Sequence, residues 1–345
     1  MPWLKKFLPV VLSGLLLYLV FRDVDPVRFG TALQNLHLEM LALALLLITS
    51  HLGWKYFRWR MLLEVLAPGI PRWPVFSGMC VGILVDQILP GRVGELARSH
   101  LVGRAAGLSR TAVLGTVVVE RILDLGSVLL VSLLALGALG MDNDLIRRTL
   151  AGGGILLGGL LVLLGLFLFF RPTCYRLLHR LLPERFGKPL VGLLEKLSSG
   201  FLVMGRWRNA LVALAATLVM WVCIVGGYAG MLLAVDFPTP PPLHTAFVLL
   251  PLIVVGVAIP SVPAGTGIFE YVAFLALQIT LPAAALATMN AEIALFALLF
   301  HLVQIAPEWL AGLYCLHREY RGLSLGAALE RIKGIRDPAP GETTP

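Results

Sequence analysis

The chain has 345 residues, 58% of them hydrophobic and 14% charged, with a mean hydropathy of +0.87. Soluble domains run nearer to about 45–50% apolar and about 25% charged, so an ordinary soluble domain is excluded and a polytopic membrane protein is indicated. The net charge of +8 lies in basic residues between apolar runs, where it sets topology and meets anionic headgroups, which argues against a nucleic-acid partner.

Apolar segments long enough to cross or deeply enter about 30 Å of hydrocarbon cover 7–21, 38–54, 75–89, 112–139, 152–170, 210–235, 244–259, 268–281 and 291–316. The first follows Lys5-Lys6, and no small-residue cleavage site precedes Arg22-Asp23, so it reads as an uncleaved span. After the second, Lys55, Arg58 and Arg60 read as cytoplasmic topology charges.

The connection 171–208 carries eight basic and two acidic residues, whereas Asp142 and Asp144 balance Arg147 and Arg148 in the one before it. The first is expected inside and the second outside. Arg92, Arg98, Arg104 and Arg110 then belong to the inside, and 75–110 becomes a re-entrant hairpin broken at Pro90-Gly91. Counting back from Arg318, Arg321, Arg331, Lys333 and Arg336 makes 244–281 a second hairpin, entered from outside and broken at Pro263-Ala264-Gly265-Thr266-Gly267. Two thin crossings by its arms would give the same net topology.

The expected fold is therefore an all-α polytopic membrane protein. About six to eight transmembrane helices and two broken or re-entrant hairpins form an inverted repeat, a carrier-type pattern. Repeat 1 is expected over about 38–139 and repeat 2 over about 210–316, within one membrane domain, 1–337. The stretch 171–208 reads as a cytoplasmic amphipathic linker and 338–345 as a disordered tail. The expected location is the inner or plasma membrane, with both termini cytoplasmic.

Ionisable groups within spans are expensive and normally face a cavity or one another. Glu120 and Asp124 are four apart on one helix face, with Arg121 three before Asp124. This triplet reads as a self-neutralised structural knot and as a site where Arg121 exchanges a carboxylate for a phosphate, two readings that are not exclusive. At the first break, Gly94 allows close backbone approach and a helix starts near Glu95. Its amides, with Arg92 and Arg98, suggest an anion cradle, and Glu95 would pair with Arg92, Arg98 or Arg121. At the second break, Gly265 and Gly267 precede Glu270, which either caps its own helix or binds a proton or cation. Asp86, Glu292, His301 and Glu308 are further polar groups, with His301 read as a packing residue.

Cys80, Cys174, Cys223 and Cys315 lack metal-ligand spacing. The tryptophans read as an interfacial belt. No nucleotide motif, HExxH or Ser/His/Asp spacing stands out, so neither a cofactor nor a metal is expected, and no enzyme activity.

The run LPGRVGELARSHLVGRAAGLSRTAVLGTVVVERILDL, with PSVPAGTGIFE, resembles the lysylphosphatidylglycerol synthase transmembrane-region family. Its members include the flippase half of the bacterial multiple peptide resistance factor. The resemblance implies a lipid-handling membrane domain and assigns motif roles to Pro90, Gly91, Arg92, Gly94, Glu95, Arg98, Glu120, Arg121, Asp124, Pro263, Gly265, Gly267 and Glu270. The longer members' soluble aminoacyl-transferase and glycosyltransferase domains have no counterpart expected in these 345 residues, so lysine transfer to lipid is not implied.

The leading expectation is a stand-alone flippase-like protein for an anionic or polyprenyl-phosphate lipid. Two alternatives stay open: a proton- or cation-coupled carrier of a small solute, and a non-transporting accessory subunit of envelope-lipid biosynthesis. The expected partners are membrane lipids, recognised through their phosphate headgroups; a lipid-synthesis enzyme and a second copy of the chain stay open.

Overall fold

The computed structural model describes residues 2–89, 92–138, 144–170, 207–235, 237, 242–256, 263–321 and 324–336. The Pro90-Gly91 pair, residues 171–206 of the basic linker and the 338–345 tail lie outside the described residues. Within them the chain is all-α, with a 3-10 turn at Pro263–Gly265, and no strand occurs among the described residues.

The helices, in chain order, are α1 (Pro2–Phe21), α2 (Pro26–Gln34), α3 (Leu38–Leu66), α4 (Arg72–Ile88), α5 (Val93–Ala106), α6 (Arg110–Ala138), α7 (Asp144–Phe169), α8 (Trp207–Val235), α9 (Pro242–Gly256), α10 (Ile268–Thr280), α11 (Ala283–Thr288), α12 (Asn290–Glu319) and α13 (Leu325–Arg336). Among the described residues, three helices are each long and apolar enough to cross a membrane: Leu38–Leu66, Arg208–Val235 and Asn290–Glu319. Exposed Leu46, Ile155, Val222 and Leu310 leave an apolar surface suited to hydrocarbon rather than water.

Local sequence fixes several boundaries. Asp25 accepts the amide of Val27 at 2.9 Å with Pro26 at the first helical position, so α2 starts there. α5 ends at Gly107, in the left-handed conformation (φ 66°), whose N–H donates to the Gly103 carbonyl.

Both breaks lie between paired helices. α4 and α5 pack antiparallel through glycines: a Cβ at Gly82 would meet the Gly94 carbonyl and the Arg98 side chain, and one at Gly78 would meet Val102. In the absence of a hydrophobic drive between helices in lipid, such small residues let backbones approach and gain dispersion contacts. α9 and α10 pair likewise, with Gly256 against Ile268 and Val272, and Thr245 hydrogen-bonded to Thr280 at 3.0 Å. At 1.5 Å per residue, these four helices of 13 to 17 residues are each about 20–25 Å long, short of a hydrocarbon core of about 30 Å.

α3 departs from the sequence expectation. Its apolar run ends at Trp54, but the helix continues to Leu66, because Trp59, Leu62 and Leu63 form a buried stripe. Leu62 packs with Val119, Leu123 and Ala213. Arg58 therefore sits on a buried helix face rather than in a solvated cytoplasmic connection. Trp59 is likewise fully buried and is no interfacial anchor.

The chain separates into two compact units. One comprises Met1–Gly53, Val128–Ala151 and Leu218–Leu310; the other comprises Trp54–Ser127, Gly152–Thr217 and Ala311–Pro345.

Candidate functional site

In the second unit, the polar residues of α3, α4, α5 and α6 converge. Arg58 is buried, and its Nη1 donates to Asp124 Oδ1 at 2.5 Å and to Thr217 Oγ1 at 2.9 Å, while its Nη2 donates to Glu120 Oε1 at 2.8 Å. Arg98, also buried, places Nη1 2.9 Å from the other Glu120 oxygen and lies over the Trp59 ring, 4.8 Å from its centroid. Trp59 in turn donates to Thr116 at 3.1 Å. Glu120 thus holds two guanidiniums, and Arg58 joins two carboxylates.

The outer half of the cluster is more open. Arg121 Nη2 lies 2.7 Å from Glu95 Oε1 and its Nε donates to the same oxygen at 3.0 Å; its second carboxylate neighbour, Asp124, is at 3.8 Å. The Arg121 side chain is 41% exposed and that of Glu95 20%, against 1% for Arg58 and Glu120. Arg92, 59% exposed, approaches Glu95 at 3.5 Å.

Arg92 also shapes the break. It adopts the left-handed conformation (φ 53°, ψ 39°), uncommon for a residue with a Cβ, and opens α5 without a side-chain cap of its own. The amide of Gly94 in the first turn is instead taken by Asp86 Oδ1 of α4 at 2.7 Å. The anion at this helix start is therefore a carboxylate of the chain itself. Four arginines (58, 92, 98 and 121) and four carboxylates (Asp86, Glu95, Glu120 and Asp124) make up this network.

The first unit carries the second break. Ala264 is left-handed (φ 62°), and Gly265 (φ 73°) and Gly267 (φ 88°) supply the positive φ values around it. Glu270, one turn into α10, accepts the Gly267 N–H on Oε2 at 2.7 Å, which caps its own helix start. Its other oxygen, Oε1, lies 2.7 Å from His301 Nδ1. Thus Arg92, Gly94, Glu95, Arg98, Glu120, Arg121 and Asp124 are brought together in one unit, while Gly265, Gly267 and Glu270 gather in the other.

Three ionisable residues outside the expected site enter these networks. By sequence Arg58 reads as a topology charge because it follows an apolar run; the signal for its burial is the helical spacing of Trp59, Leu62 and Leu63 behind it. Asp86 lies eight residues before Gly94 and becomes its partner only once the chain folds back. His301, read as packing, is buried but paired with Glu270 across 31 residues. Among the described residues, no three His, Cys, Asp or Glu side chains gather in a metal-binding set.

An all-α chain with membrane-length apolar helices and a buried network of arginines and carboxylates is a polytopic membrane protein. It belongs to the lysylphosphatidylglycerol synthase TM region family, whose model matches residues 6–312. The matched stretch includes both breaks and the whole charged cluster. A search of the curated proteins and one of the solved structures returned no match.

Proposed function

We propose that the protein is a flippase-like membrane protein that moves a lipid bearing an anionic or polyprenyl-phosphate headgroup between leaflets, and that Arg121 and Arg92 receive the phosphate. The family supports a lipid-handling role, since its membrane domain is associated with flippase-like activity. The observation that carries the residue assignment is the gradient of exposure through the cluster.

Arg58, Glu120 and Arg98 form a buried anchor that substrate cannot reach without dismantling the packing. Arg121 and Glu95 form an outer pair held by a single carboxylate oxygen. A phosphate offers a guanidinium two parallel charge-assisted hydrogen bonds, which is better geometry than that one shared oxygen. Exchange of Glu95 for phosphate at Arg121 therefore costs little, and Arg92 stands beside it to take the remaining charge. Arg98 orients Glu120 and, through it, the anchor. The site is cytoplasmic-facing in this reading, by the charge asymmetry of the loops, and the membrane is the inner or plasma membrane.

Full-length protein reconstituted in vesicles with a reporter lipid, assayed by chemical quenching of the outer leaflet, tests the role. Arg121→Ala is expected to slow leaflet exchange by roughly tenfold, the equivalent of one lost charge-assisted hydrogen bond. Arg121→Lys, which keeps charge but not the fork, should fall between. Exchange at wild-type rate in both variants would remove Arg121 from the mechanism.

A further inference from the structure

The first unit holds a histidine whose two ring nitrogens both face acceptors. His301 Nδ1 lies 2.7 Å from Glu270 Oε1 and Nε2 lies 3.0 Å from the carbonyl oxygen of Ala264. A neutral imidazole has one N–H and one lone pair, so it can satisfy only one of two acceptors. If Nε2–H is given to Ala264, the lone pair on Nδ1 points at a carboxylate; if Nδ1–H is given to Glu270, the lone pair on Nε2 points at a carbonyl. Both contacts are favourable only when the pair carries one more proton, on the imidazole as a cation or on the carboxyl as a neutral acid. Both side chains are buried, with 7% and 4% exposure, so water does not supply the missing donor cheaply.

We infer that Glu270 and His301 form a buried binding site for one proton, and that its occupancy latches the second break through the Ala264 carbonyl. Glu270 is tied to the same break at its other oxygen, through the Gly267 amide. Loaded, the pair bonds the break at two points on either side of Gly265 and Thr266. When the proton leaves, one of the two histidine contacts must go. The carboxylate keeps the remaining N–H, because a charged acceptor binds it more strongly than a carbonyl does. The Ala264 carbonyl is then released, and Ala264 is the residue held at φ 62°. The proton thus decides whether a strained backbone corner is fastened.

The surroundings supply few competing charges. Phe269 of α10 stacks on the imidazole with ring centroids 4.8 Å apart. α1 presents the backbone of Ser13 against Gly267, and α9 presents Gly256 to Ile268 and Val272. Residues 257–262 contain no ionisable side chain. Further along the same face of α12, Gln304 donates to the Tyr228 hydroxyl of α8 at 2.9 Å, and the titratable group there, Glu308, meets His51 of α3 at 2.9 Å.

His51 repeats the arrangement, with Nδ1 2.5 Å from the Ile48 carbonyl. That carbonyl belongs to its own helix, so a proton lost there frees no break. The second pair serves as an internal comparison.

The full chain, labelled with 15N-histidine and held in lipid nanodiscs, is titrated between about pH 5 and about pH 8, where histidine changes charge. Imidazole resonances are assigned with His301→Gln and His51→Gln, and infrared difference spectra report a protonated carboxyl that Glu270→Gln removes. In the wild type, one proton is expected on the His301–Glu270 pair at the acid end and lost on raising the pH. Amide exchange at residues 264–267, corrected for its intrinsic pH dependence, should accelerate by roughly tenfold as that proton leaves. Glu270→Gln, whose amide can donate to Nδ1 while Nε2–H stays on Ala264, should show equal protection at both ends. A pair that never holds the proton, one that never releases it in this range, or release without faster exchange at 264–267 overturns the inference. The wild-type titration decides alone if the variant does not fold. None of these readouts requires lipid movement, so they fail or hold separately from the transport proposal.

Discussion

Arg58 of α3 and Glu120 of α6, 62 residues apart in the chain, meet at 2.8 Å inside the protein with neither side chain more than 1% exposed. Asp124 completes the arrangement on the other terminal nitrogen. Removing one partner of a buried ion pair leaves an uncompensated charge, which costs about 3–5 kcal/mol. Arg58→Ala should therefore unfold at markedly lower temperature in detergent or nanodiscs. Arg58→Lys should recover only part of the loss, because an ammonium lacks the planar fork that bridges two carboxylates. A melting temperature equal to wild type for Arg58→Ala would show that the pair does not anchor the fold.

Gly94 gives a second, steric test. A Cβ there would overlap the Gly82 carbonyl and approach the Asp86 carboxyl at 2.8 Å, so α4 and α5 would have to part. Overpacking of this kind costs about 1–3 kcal/mol, and the Asp86 bond to the Gly94 amide would be lost with it. Gly30 of α2, where nothing lies within 4 Å of the added carbon, is the matched control. Gly30→Ala should be neutral or stabilising by about 0.5–1 kcal/mol. Thermal melts of the two variants side by side check the prediction, which fails if both behave alike.

Arg92 separates backbone from charge. Its left-handed conformation suits glycine better than any residue with a Cβ, so Arg92→Gly should leave stability unchanged or raise it by about 1 kcal/mol. The same change removes an exposed cation beside Glu95. Leaflet exchange should fall while the melting temperature does not, a split that a purely structural Arg92 would not produce.

Much of the fold was legible because hydrophobic periodicity and Pro/Gly breaks are local signals. The helices begin and end within a few residues of the apolar segments in most cases, as at Leu38, Ile268 and Val235. The far end of α3 was not legible. A basic tract after an apolar run reads as an interface, and only burial of Trp59 against α6 and of Leu62 against α6 and α8, with Leu63 buried as well, carries the helix on to Leu66. The charged cluster was legible as a set of residue types, since Glu120, Arg121 and Asp124 share one turn and the break motif supplies Glu95 and Arg98. Their pairing was not. Arg121, next to Glu120 and three residues before Asp124 in sequence, bonds Glu95 of the preceding helix, while the acids are taken by Arg58 and Arg98. Long-range partners of this kind are set by how α3, α5 and α6 pack, and no spacing along one helix encodes that. The histidine pairs were missed for the same reason: an isolated His on an apolar helix acquires its meaning from a carboxylate on another helix.

The exchange of Glu95 for a lipid phosphate at Arg121 is tested most directly by binding. Native mass spectrometry of the full chain, titrated with one defined anionic phospholipid, compares wild type with Glu95→Gln, Arg121→Ala and Arg104→Ala. Arg104, an exposed cation in the last turn of α5, is the control for charge alone. Freeing Arg121 in Glu95→Gln should tighten binding, and Arg121→Ala should weaken it by roughly tenfold, about 1.4 kcal/mol, with Arg104→Ala close to wild type. Equal affinity in Arg121→Ala and Arg104→Ala, or weaker binding in Glu95→Gln, would contradict the account.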